Sequence, residues 1–112
     1  MVPEEVAQKY FAAMRARDLE AVVGLFAGNG VMILPDGEQF AGGEALRELY
    51  SRIFSSGAPN PTCVELVSGR NSVATEIETR LPDGTERRTA NFFHLDEAGR
   101  IARLSVYKRG KW

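Results

Sequence analysis

"VATEIETRLPDGTERRTANFFHL", residues 73–95, alternates small apolar and polar side chains on either side of a short turn. Val73, Thr75, Ile77, Thr79 and Leu81 share one side, while Ala74, Glu76, Glu78 and Arg80 share the other. That period of two belongs to a strand buried on one face. Pro82, Asp83 and Gly84 supply turn chemistry: a fixed φ, a short carboxylate that caps nearby N–H groups, and freedom at positive φ. The stretch therefore predicts a hairpin. Outward from it, "DEAG" at 96–99 predicts a second turn, between strands from about Thr85 to Leu95 and from Arg100 to Lys108. Upstream, Thr62 to Ser68 reads as another strand, joined through "GRN" at 69–71 and preceded by a Pro-rich connection at Ala58 to Pro61.

The first half has a different period. Pro3, Glu4 and Glu5 suit a first helical turn, with φ preset and negative charge at the positive end of the helix dipole. Val6, Tyr10, Ala13 and Met14 then recur at helical spacing. Asp18 reads as the N-cap of a short second helix whose Leu19, Val22, Val23 and Phe26 share a face, closed by Gly28 and Gly30. Gly43 opens a third helix with a stripe of Leu46, Leu49, Tyr50, Ile53 and Phe54, and Gly57 is its expected stop. Helices followed by a meander of long antiparallel strands predict an α+β domain spanning residues 1–112, a curved, mostly antiparallel sheet covered by helices, with a pocket between the layers.

Composition narrows the function. The chain has 112 residues, a formal net charge of −1 and no basic stripe, so no nucleic-acid partner is expected. Its apolar runs are too short to span a bilayer, so no membrane partner is expected, and the acidic start "MVPEEVAQKY" is unlike a secretory signal; a cytoplasmic setting follows. Cys63 and His94 are the single cysteine and histidine. They offer no metal-ligand spacing and no redox pair, and neither a metal nor a cofactor is expected.

Three stretches carry a resemblance. "YFAAMRARDLEAVVGLFAGNGVMILPDG" (10–37), "AGGEALRELYSRIF" (41–54) and "NFFHLDEAGRIARLSVYK" (91–108) resemble the SnoaL-like and ketosteroid isomerase-like members of the nuclear transport factor-like superfamily, over essentially the whole chain. The resemblance implies a cone-shaped roll and an apolar pocket for a small carbonyl or phenolic ligand. It carries an oxyanion-binding tyrosine onto Tyr10 and an oxyanion-binding carboxylic acid onto Asn91. It carries the proton-abstracting base onto Leu34, beside Pro35, which cannot take a proton.

Asp36 is the nearest candidate base. It is also a natural turn carboxylate, as Glu38 is a natural strand-edge charge. Tyr10 and Asn91 can be oxyanion donors or satisfied core residues. If Asn91 faces the cavity, alternation sends Phe93 and Leu95 inward and Phe92 and His94 outward. Leu104 and Val106 then line the pocket, and Arg103, Ser105 and Tyr107 lie outside. Met14, Leu34, Phe40, Tyr50, Phe54 and Phe93 are expected walls. The resemblance adds Trp112 at the mouth, puts Lys108 where relatives have a pocket phenylalanine, and implies a homodimer through the outer sheet face. Two functions stand level: isomerisation of an apolar carbonyl compound by general acid/base catalysis, and ligand binding or an accessory role without chemistry. A hydrolase or dehydratase stands behind them, because alternation sends His94 and Arg103 outward.

Overall fold

The computed structural model describes residues 2–56 and 60–110. Among them the element order is α1 (Pro3–Ala16), α2 (Leu19–Gly24), β1 (Phe26–Ile33), β2 (Gln39–Ala41), α3 (Gly43–Ser55), β3 (Asn60–Ser68), β4 (Ser72–Arg80), β5 (Glu86–Leu95) and β6 (Ile101–Arg109). The strands form one sheet in the order β2-β1-β6-β5-β4-β3. All neighbours are antiparallel except β1 and β6. This is the expected α+β architecture, three helices on a mostly antiparallel sheet. None of the described helices is long and apolar enough to cross a membrane.

The helices begin as the sequence dictates. Pro3 starts α1 with Glu4 and Glu5 in its first turn, and Arg17 ends it in the left-handed region at φ 54°. The Asp18 carboxylate accepts the Ala21 N–H at 3.1 Å and caps α2. Gly42, at φ 88°, turns the chain into α3. The expected stop at Gly57 lies outside the described residues, as do Ala58 and Pro59 of the Pro-rich connection; β3 already begins at Asn60.

The second helix differs from expectation. It stops at Gly24, and Phe26 is the first residue of β1 rather than part of a helical face. Pairing with β6 outcompetes another turn: the Leu25 carbonyl accepts the Ile101 N–H at 2.9 Å, and Phe26 lies opposite Ile101. Gly28 and Gly30 therefore do not close a helix. They lie where the β1–β6 register shifts between Phe26 and Val31. A Cβ on Gly30 would sit 2.7 Å from the Ile101 carbonyl oxygen, so this crossing needs a residue without a side chain.

Alternation places the core. Met32, Val73, Thr75, Ile77, Asn91, Phe93 and Leu104 are buried on the inner sheet face. Val6, Tyr10, Phe11, Met14, Leu46, Leu49 and Tyr50 are buried on the helices above it. The outer face carries Glu76, Glu78, Arg88, Phe92, His94, Arg103 and Tyr107, paired across neighbouring strands. Ser105 belongs to that face by register, as expected, yet is only 7 % exposed because it is small and sits opposite the Phe92 ring.

Candidate functional site

Buried polar side chains of the interior come from three elements. Tyr10 comes from the buried stripe of α1, Tyr50 from the stripe of α3, and Asn91 from the inward parity of β5. The Tyr10 and Tyr50 hydroxyls lie 2.7 Å apart and are buried. Tyr50 also directs its hydroxyl at the Met32 sulfur, 3.9 Å away, a weak acceptor. Around this pair the aromatic rings pack edge to face: Tyr10 on Phe93 at 5.2 Å, on Phe11 at 5.4 Å and on Tyr50 at 6.2 Å between centroids.

Burial governs the protonation of the pair. Desolvation pushes both phenols above their ordinary value, for Tyr10 against the opposing effect of its hydrogen bond with Tyr50. Both stay neutral and protonated at physiological pH, so they can donate a hydrogen bond but cannot act as bases. Two hydroxyls bring two protons, and the bond between them uses one. Among the described residues the other has at best a thioether to donate to. The interior therefore holds one strong donor without a strong acceptor.

Asn91 contributes the complementary feature. It is 6 % exposed, and its side-chain Oδ1 is buried without a hydrogen-bond partner. Its backbone is held in register opposite Thr75 and Val106, and the Thr75 hydroxyl donates to the Asn91 carbonyl at 3.3 Å. An orphaned buried acceptor costs roughly 1–3 kcal/mol, which a ligand hydroxyl would relieve. A half-rotation of the amide would present N–H groups to a ligand oxygen instead.

The expected walls fall into two groups. Met14, Tyr50, Phe93 and Leu104 are buried, whereas Leu34, Phe40, Phe54 and Val106 pack partly buried against the same core. Phe40 also lies under the Arg52 guanidinium at 5.7 Å, and Phe54 packs on Tyr50 at 6.3 Å. Trp112 lies outside the described residues. Lys108 is exposed at the end of β6.

Leu34 leaves β1 into a turn in which the Gly37 N–H donates to the Leu34 carbonyl at 2.8 Å. Asp36 is exposed at that turn, and its carboxylate accepts the Glu38 N–H at 2.9 Å. This is the turn geometry that Pro35 and Gly37 suggest. Cys63 is partly buried, its thiol pushed up by desolvation and directed at the Glu65 carbonyl. His94 stacks on Phe92 on the outer face, as alternation requires. No group of His, Cys, Asp or Glu among the described residues could hold a metal.

Tyr50, expected as a wall, is also the hydroxyl partner of Tyr10. Its signal was a hydroxyl on an otherwise apolar helix stripe, since a buried phenol needs a partner. Met32, which has no polar group to mark it in the sequence, meets the Tyr50 hydroxyl through its sulfur.

The model of the SnoaL-like domain family matches residues 7–104. No curated protein matches the chain. Solved structures do. A putative ketosteroid isomerase from Kribbella flavida is similar with TM-score 0.85 at 20% identity, covering 96% of this chain and 78% of that one. SalBIII, an epoxide hydrolase/cyclase-like enzyme described for pyran ring formation in polyether salinomycin, is similar with TM-score 0.83 at 21% identity, covering 98% and 95%. A putative polyketide cyclase from Sinorhizobium meliloti is similar with TM-score 0.82 at 19% identity, covering 91% and 93%. At these identities the likeness is one of fold.

Proposed function

The chain belongs to the SnoaL-like domain family, and from that premise we propose that it binds a small apolar molecule by a carbonyl or phenolic oxygen, with Tyr10 and Asn91 as the polar contacts and no base at Leu34. The observation that carries this reading is the buried hydroxyl pair, 2.7 Å apart, whose second proton has, among the described residues, only the Met32 sulfur to meet. A ligand oxygen would be a far better acceptor than that thioether, and in a dry aromatic surround a bond to a charged oxygen strengthens further. Asn91 Oδ1, buried without a partner among the described residues, would accept from a ligand hydroxyl.

Binding requires the layers to part. Tyr10, Tyr50 and Phe93 are buried, whereas Leu34, Phe40, Ile53 and Phe54, on the turn after β1, on β2 and on α3, are only partly so. That side is the path by which an apolar ligand reaches the hydroxyls.

Isomerisation of an apolar ketone, which the resemblance to ketosteroid isomerases suggests, needs a base within hydrogen-bond reach of the substrate proton. Leu34 supplies none, and Asp36 is exposed with its carboxylate engaged by Glu38. Binding without fast proton transfer is therefore the reading the geometry supports best.

Titration with 2-naphthol and with naphthalene tests it. Wild type should prefer the naphthol by about tenfold, the worth of one hydrogen bond in an apolar site, and Tyr10→Phe should abolish the preference. Equal affinity of both ligands for wild type would make Tyr10 a core residue only.

A further inference from the structure

A groove of about 400 Å³ runs between the flank of α1 and the strand β3. From α1 come Glu4, Gln8, Phe11 and Arg15, spaced as one stripe of a helix beside the stripe that feeds the core. From β3 come residues 62–66. Consecutive residues of a strand point their side chains to opposite faces, so the wall these five share is the backbone edge itself. That edge is open. β3 ends the sheet, and its one strand neighbour among the described residues is β4.

The backbone is turned the same way. The Pro61 carbonyl faces out of the β3–β4 ladder far enough to accept from Arg15 Nη1 at 3.5 Å. Alternation gives Cys63, two residues on, the same orientation, so its N–H and C=O also face the groove rather than β4. The floor is apolar, made by the buried Phe11 and the partly buried Cys63 and Leu66.

Charge gives the groove a direction. Arg15 stands at the Pro61 end, and Glu4, about three helical turns earlier, lies roughly 16 Å away on the side of Glu65 and Leu66. Among the described residues none of Arg15, Glu4 and Glu65 has an ion-pair partner. A cation at one end and two carboxylates at the other complement an extended chain running antiparallel to β3. Its acidic end then meets Arg15 and its basic end meets Glu4 and Glu65. The antiparallel sense is also the more stable pairing. Pro61 and the register shift between Cys63 and Glu65 interrupt this edge, a device by which strands avoid pairing with their own kind. A short foreign strand suits such an edge better than the full β3 of a second copy.

We infer that this groove docks an extended segment of another polypeptide, which adds to β3 as a further antiparallel strand. The segment is apolar at alternate positions, basic at its N-terminal end and acidic at its C-terminal end. Backbone bonds to the edge give affinity, and alternate side chains on the Phe11 and Leu66 floor give specificity. The groove opens at the sheet edge and does not depend on the function proposed for Tyr10 and Asn91.

The test is an NMR titration of the full chain with acetyl-Lys-Thr-Val-Thr-Val-Glu-amide, which spans about 17 Å when extended. A second peptide has its Lys and Glu exchanged. The first should bind with Kd on the order of 0.1 mM and shift resonances of residues 61–66, Phe11 and Arg15. The exchanged peptide should bind about tenfold more weakly, and Arg15→Glu should abolish the difference. N-methylation of both valines, or of both threonines, removes alternate N–H groups of the peptide. One of the two should cost binding about tenfold and the other little, because only one set faces β3. Tyr10→Phe should leave binding of the first peptide unchanged. Equal affinity of wild type for the two charge patterns overturns the proposal, as do equal effects of the two methylations or shifts confined to Tyr10, Tyr50 and Asn91. Absence of binding by wild type overturns it too; if resonances of residues 61–66 then change with protein concentration, the edge belongs to a second copy of the chain.

Discussion

Tyr10 and Tyr50, 40 residues apart in sequence, meet hydroxyl to hydroxyl at 2.7 Å in the buried layer between helices and sheet. The contact ties α1 to α3, and its consequence for stability follows from counting protons. Tyr50→Phe removes one hydroxyl and leaves Tyr10 with neither donor nor acceptor near its own. Tyr10 still packs on Phe93 and Phe11 and the ring at 50 on Phe26 and Phe54, so the fold should persist with a loss of about 1–3 kcal/mol, the range for an orphaned buried polar group. Denaturant unfolding of wild type and variant measures it. An unchanged midpoint would mean that the pair contributes nothing to the folded state.

The same pair sets an alkaline limit. Both phenols are raised above the ordinary value of 10.0 by burial, so the folded state prefers them protonated while the unfolded chain releases their protons near pH 10. The stability this provides is complete below pH 10 and drains as pH rises through the folded values. Above pH 10 the unfolding free energy should fall by roughly 1.4 kcal/mol per pH unit for each tyrosine. Denaturation followed from pH 8 to 12 should give a shallower decline in Tyr10→Phe than in wild type.

Gly30→Ala addresses the crossing of β1 over the start of β6. The added methyl would meet the Ile101 carbonyl at 2.7 Å and the Ala27 carbonyl at 3.0 Å, and both are backbone atoms that cannot swing aside. A loss of about 1–3 kcal/mol is expected, as for other overpacked sites. Gly28→Ala is the control, because a Cβ there meets nothing within 4 Å. Equal effects of the two substitutions in thermal unfolding would argue that the close approach is relieved at no cost.

These glycines also mark where the sequence stopped being legible. Phe26 continues a helical spacing from Leu19, Val22 and Val23, and local periodicity cannot report that Ile101, 75 positions on, competes for its backbone. Alternation in β4 and β5 was legible because one buried face imposes it residue by residue; it sent Asn91 and Phe93 inward and Phe92 and His94 outward, as found. The interior site was legible only in part. Tyr10 and Asn91 stood out by residue type, but the bond from Tyr10 to Tyr50 depends on how two helices lie on one sheet. The groove between α1 and β3 arises from how a helix lies along a sheet edge, which no spacing within either element encodes.

The last expectation concerns the position where the resemblance implies a base. Leu34 packs partly buried against the core as β1 turns away, so it offers a partly apolar position for a carboxylate. With leucine there, the protein should isomerise a 5-ene-3-ketosteroid slowly or not at all, because oxyanion donors do not replace a positioned base. Leu34→Asp should raise the rate, and a positioned general base contributes roughly 10²–10⁴-fold. Partial burial would lift the new carboxylate above its ordinary value, which favours proton abstraction near neutrality and lowers stability. Asp36→Ala should leave the wild-type rate unchanged, since the Asp36 carboxylate is exposed and spent on the Glu38 N–H. Absorbance of the conjugated product reports all three proteins. A fast wild type disabled by Asp36→Ala would make Asp36 the base and the turn part of an active site. A slow wild type accelerated by Leu34→Asp would mean that the donors already hold the substrate oxygen where a base at position 34 can reach its proton.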